Sequence, residues 1–181
     1  KELQFAEGIP QFASSVFRMD PVYQFRGPIN LGGRTRAIAV DVSNENVVLA
    51  GSANGGVWRS TDGGQTWTSP LRVNNDPAGK QQFLTWMSID QTNGNIYCVF
   101  YDRRNYSVST QQTDVYLAVS TDGGNSFSNY RINQNSFNPS ANVFFGDYIG
   151  ISAHNNVIRP IWMQLSSGVL SVWTALIDGT S

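Results

Sequence analysis

The stretch Ser60-Thr61-Asp62-Gly63-Gly64-Gln65-Thr66-Trp67 returns 60 residues later as Ser120-Thr121-Asp122-Gly123-Gly124-Asn125-Ser126-Phe127. Each residue type suits a tight hairpin. An aspartate side chain accepts backbone N–H bonds inside a turn. Asp-Gly and Gly-Gly supply the positive φ such a turn needs. The closing aromatic, Trp67 or Phe127, begins the next strand and packs inward. Ser60, Asp62, Gly64 and Trp67, with Ser120, Asp122, Gly124 and Phe127, are therefore read as structural positions.

Working outward from the two turns, short runs rich in Val, Ile, Tyr and Trp alternate with Gly, Asn and Asp clusters, and no long stretch has helical spacing. This pattern predicts many short antiparallel strands. The first unit predicts strands at Arg34–Val42, Val47–Ala53, Val57–Thr61 and Thr66–Val73. The second predicts Phe83–Asp90, Asn95–Arg104, Asp114–Thr121 and Ser126–Ile132. A third supplies Tyr148–Ala153, Val157–Gln164 and Leu170–Ile177. Four strands joined by hairpins make one propeller blade. The expected fold is all-β, with about three blades over residues 34–73, 83–132 and 147–178, preceded by an extension at 1–30 that holds a candidate closing strand. Propellers usually have four to eight blades. Three are too few to close, so the units are read either as part of a longer propeller or as completed by a second copy or a polymer.

The motifs and their spacing resemble the BNR/Asp-box superfamily of sialidases, sortilin-like propellers and xyloglucanase-like propellers. Gly27–Arg34 and Gly51–Trp58 are similar to the opening blade of secreted bacterial proteins of this kind. Val99–Arg104, Phe144–Tyr148 and Pro160–Trp162 are similar to bacterial sialidase-like repeat proteins. The resemblance covers roughly Phe25–Asp178. It implies a secreted or surface-exposed bacterial protein whose Asp-boxes are turns away from the ligand funnel.

A sialidase needs arginines for the substrate carboxylate, a tyrosine nucleophile activated by glutamate, and an aspartate acid/base. The resemblance makes Arg26, Arg34, Arg103 and Arg104 candidate ligand-binding residues, and Tyr101, Asp102, Asp147 and Tyr148 candidate catalytic ones. Phe25-Arg26-Gly27-Pro28 is loosely similar to the Phe-Arg-Ile-Pro segment of sialidases, with Gly27 departing from it. The only glutamates are Glu2, Glu7 and Glu45, none in a strand of the second half. A structural reading of Tyr101–Arg104 is preferred, with an Asp–Arg pair closing a loop and tyrosines packed between blades.

The 181 residues are 40% hydrophobic, which suits a packed domain, and only 14% charged, which leaves the surface to Ser, Thr, Asn, Gln and Gly. The net charge of −1 gives no reason to expect nucleic acid or an anionic membrane as partner. No apolar run is long enough to span a membrane. Cys98 reads as an inert core thiol, and His154 as a residue of a turn over Ala153–Asn156. No cofactor or metal is expected. The leading expectation is a non-catalytic module that binds a glycan or a protein or builds an assembly. An exo-sialidase is the alternative.

Overall fold

The computed structural model describes residues 35–180 except 42, 53–55 and 141. The predicted extension at 1–30, with Arg26 and Arg34, lies outside the described residues. Within them there is no helix, and the strands form three antiparallel sheets.

The first sheet has the order β1 (Thr35–Val40), β2 (Val48–Ser52), β3 (Gly56–Ser60). The fourth strand expected over Thr66–Val73 is reduced to a single bridge, Val57 to Leu71. Pro70 has no N–H to give, and the register slips by one residue beyond it. Thr68 N–H then reaches the Arg59 carbonyl at 2.9 Å, while Arg59 N–H bonds the Thr68 hydroxyl at 3.1 Å. Gly56 is required here, since a Cβ at its φ of 87° would lie 2.6 Å from the Leu71 carbonyl oxygen.

The second sheet is a complete four-stranded blade: β4 (Gln82–Ile89), β5 (Ile96–Asp102), β6 (Asp114–Ser120) and β7 (Ser128–Arg131), in chain order. The third is built around the long β9 (Val157–Ser166). On one side β9 pairs with β8 (Gly150–His154), which places His154 at a strand end rather than in the turn. On its other side it pairs with β10 (Val169–Thr174) and then β11 (Ile177–Asp178), one edge interrupted at Ala175 and Leu176. Both hairpins of this sheet turn on two residues of positive φ: Asn155 and Asn156 at 50° and 63°, then Ser167 and Gly168 at 50° and 79°. That is the tight-turn geometry whose twist matches the strands.

The inner strands β1, β4 and β8 lie next to one another in series, as successive propeller blades require. The second blade is packed on both faces. Period-2 alternation sends Tyr97, Val99 and Tyr101 of β5, with Val115 and Leu117 of β6, against Ile149, Ile151, Ile158 and Trp162 of the third blade. The intervening residues Ile96, Cys98, Phe100, Tyr116 and Ala118 face Leu49 and Val57 of the first. This is why β5 is buried at every position. Each large apolar side chain removed from water in these layers contributes about 1.5–3 kcal/mol. Cys98 sits in the second layer, and burial pushes its thiol up to about 12.

Candidate functional site

The two Ser–Asp–Gly turns have the same geometry. Ser60 Oγ donates to Asp62 at 2.7 Å and accepts the Gly64 N–H at 2.8 Å. The corresponding bonds of Ser120, to Asp122 and from Gly124, are 2.7 and 2.9 Å. One carboxylate oxygen of Asp62 accepts the N–H groups of Gln65 and Thr66, and the other accepts the Thr66 hydroxyl. Asp122 is bonded in the same way by Asn125 and Ser126. The glycines at the fourth and fifth positions of each stretch, Gly63 and Gly64, then Gly123 and Gly124, share φ values of 69° and 85°. The Thr66 side chain, its N–H and the Ser60 hydroxyl hold the Asp62 carboxyl down to about 2. Asp122 is lowered further by Ser126 and Ser120. Both carboxylates are occupied in closing a turn.

Tyr101 is fully buried. Its hydroxyl donates to the Met163 carbonyl at 2.8 Å and accepts the Met163 N–H at 3.0 Å, and burial raises its pKa. It is bolted across the interface between the second and third blades, stacked on Phe83 and set against Phe137 and Phe145. Asp102 is also fully buried, bound by the Arg104 guanidinium at 2.7 and 2.9 Å and by the Arg104 N–H at 2.6 Å. Arg104 lies 4.0 Å over the Tyr116 ring and reaches Asn75 and Asn129, tying the inter-blade linker to β7. Arg103 is half-buried with its Nε unpartnered. Asp147 and Tyr148 are exposed in the loop before β8. Thus Tyr101, Asp102 and Arg104 are knitted into packing at one end of β5, and Asp147 and Tyr148 lie in a different segment.

Sequence reasoning passed over three buried carboxylates. Asp114, opposite Asp102 in the ladder, is bonded by Asn133 and Tyr106 and faces Arg131 at 3.4 Å. Asp90 directly follows β4 and accepts N–H bonds from Thr92 at 2.9 Å and from Asn155 and Asn156 of the third blade at 3.0 and 2.7 Å. Burial pushes the Asp90 carboxyl up, but the bonds from Thr92, Asn156 and Asn155 outweigh it and leave it at about 2. Asp76, in the linker between the first two blades, is held by Arg72, Asn74 and Gln82. A local signal existed for Asp90, an acid closing an apolar run before Thr92-Asn93-Gly94. None existed for Asp76, whose partners come together only when the linker folds. Beside Asp76 a cleft of about 560 Å³ opens between the first and second blades. Among the described residues no three His, Cys, Asp or Glu side chains cluster as metal ligands would.

No protein-family model matches the chain, and no curated protein matches it. Solved structures do. An ancestral GH74 enzyme matches at 16% identity and a TM-score of 0.50, over 83% of this chain and 18% of its own. YCF48 from Cyanidioschyzon merolae matches at 18% identity and a TM-score of 0.44, over 85% and 37%. The GH74 xyloglucanase from Xanthomonas campestris matches at 14% identity and a TM-score of 0.43, over 79% and 20%. The chain thus spans well under half the length of each of these three proteins. Together with three antiparallel sheets set side by side, the likeness to the first defines the class: a β-propeller fold, here seen as about three blades.

Proposed function

We propose that the chain is a non-catalytic Asp-box β-propeller module of the cell exterior, which engages a glycan or a protein, or assembles with further blades, through its blade surfaces. The observation that carries this reading is the outward face of the third blade. β9 alternates: Ile158, Pro160, Trp162 and Gln164 turn inward and are buried, while Val157, Arg159 and Ile161 turn outward, the two apolar ones 44% and 49% exposed. Val172, opposite Met163 in the ladder, extends the face at 61% exposed. The equivalent face of the second blade is covered by the third. A sheet face with exposed apolar residues around one arginine, left open in this way, suits a partner surface or another blade. The environments of Tyr101 and Asp102, both committed to packing, support binding over turnover.

The test is the mass of the purified chain in solution across a wide concentration range, with and without the double substitution Ile161→Lys/Val172→Lys. Concentration-dependent association, weakened by the two lysines, is expected. A chain that stays monomeric throughout removes the assembly part. Hydrolysis of a fluorogenic sialoside, lost on Tyr148→Phe, would overturn the non-catalytic reading itself.

A further inference from the structure

The cleft between the first and second blades is held open by small residues where the backbone does not demand them. Ala37 of β1 and Gly51 of β2 face Met87 of β4 across the gap. Gly51 does not have the left-handed φ that favours glycine, and a Cβ there would meet only Met87 at 3.5 and 3.8 Å and Ala37 at 4.0 Å, ordinary contacts. An added methyl would therefore fit among the described residues, and cores normally fill such space, because unfilled volume forfeits packing energy. Farther along the same strand pairs Leu49 packs in one cluster with Ile96, and Val57 and Cys98 of that cluster form one border of the cleft.

The inner strand adds to this. β4 bulges between Phe83 and Trp86, so that Leu84 and Thr85 together oppose Phe100. Leu84 takes a φ of 49°, a conformation that costs a bulky L-residue about 1–2 kcal/mol. The bulge leaves Phe83, Leu84 and Trp86 packed on the core shared with the third blade, and Thr85 lining the cleft. Bulges and backbone strain of this kind concentrate beside binding sites, where they re-aim a side chain.

The polar lining has one sign. Arg72 and Lys80, both from the linker, border the cleft, and no carboxylate lines it among the described residues. Asp76 lies behind, its side chain fully buried. Its oxygens are taken by Arg72 at 3.0 Å, by Gln82 at 3.1 Å and by Asn74. That network fixes the guanidinium while leaving the Arg72 side chain 52% accessible. The Lys80 ammonium is anchored on the Tyr106 carbonyl and keeps further protons to donate. Asn74, Gln81, Gln82 and Thr85 add neutral polar groups, and Met87, Phe100 and Leu71 form an apolar part of the wall. A volume of about 560 Å³ is that of a pocket for a small organic molecule.

We propose that this inter-blade cleft binds a small organic carboxylate, its anionic end on Arg72 and Lys80 and its body against the apolar wall. A guanidinium held by a buried carboxylate meets a planar carboxylate with little loss of side-chain freedom. The site does not depend on the open face of the third blade, so the two readings stand or fall separately.

The test uses the whole chain and two anionic probes, benzoate and glucuronate, with benzamide and glucose as their neutral counterparts, followed by ligand-detected NMR and thermal unfolding. Saturable binding by a carboxylate but not by its neutral counterpart, weakening as salt is added, is expected. Arg72→Gln weakens it about tenfold, the loss of one charge-assisted contact. Gly51→Val, which narrows the cleft beside Met87, also weakens it while the unfolding transition shows a folded protein. If Gly51→Val does not fold, Arg72→Gln decides alone. No saturable binding by either carboxylate, equal binding of the neutral molecules, or affinity unchanged in Arg72→Gln would overturn the proposal.

Discussion

Tyr101 shows how a residue with a chemist's profile becomes a fastener. A phenol in a polar cluster suggested reactivity, yet both bonding capacities of its hydroxyl close on the backbone of Met163, 62 residues away. Tyr101→Phe leaves that N–H and C=O unpaired in the core, and we expect a loss of about 1–3 kcal/mol in urea unfolding. The aspartates give the molecule its acid sensitivity. Asp62 and Asp90 sit at about 2 and Asp122 below its ordinary value of 3.8. Between these values the unfolded chain binds more protons than the folded one. Their stabilisation is therefore complete above the ordinary carboxylate range and is lost as pH falls toward 2. The denaturation midpoint should fall steadily on acidification from pH 4 to pH 2, and Asp90→Asn should make that slope shallower. A flat profile in the parent protein would refute the assignment.

At the scale of elements, hairpin chemistry sets the register. The β9–β10 turn demands positive φ at Ser167, which serine meets poorly and asparagine well. Ser167→Asn should raise stability by about 0.5 kcal/mol, with unchanged spectra, since it leaves the ladder untouched. The same logic explains the one strand read wrongly. Thr66–Val73 had the apolar residues of a strand, but Pro70 and a one-residue slip leave a single bridge at Leu71. The first and second blades thus differ at their outer edge although their turns coincide.

For the whole molecule, stability is expected to be graded across the blades. β5 and β6 are packed on both faces and should hold the slowest-exchanging amides. β10 and the outer edge of the first blade, with one face or one edge open, should exchange first. Hydrogen exchange read by mass spectrometry would show this order, and uniform protection across all three sheets would contradict it. The cross-blade bonds of Asp90 to Asn155 and Asn156, of Asn93 to Asn156 and of Tyr101 to Met163 link the second and third blades. Between the first and second blades a cleft opens beside Asp76 instead. Its looser packing is where a ligand would act on the whole assembly, by drawing two blades together.

The sequence by itself determined whatever is closed by bonds between near neighbours. The Ser60–Trp67 and Ser120–Phe127 turns were legible because Ser, Asp and Gly satisfy one another within four residues. Strand positions followed from period-2 alternation and turn residues, and with them the blade plan. Only the tertiary structure decided which face of β5 meets which blade, that Tyr101 and Asp102 are spent on packing, and that Asp76 sits behind a cation-lined cleft. Those outcomes rest on partners brought together by the stacking of sheets. A β-strand offers both faces with equal readiness, so its own residues cannot say what will cover each.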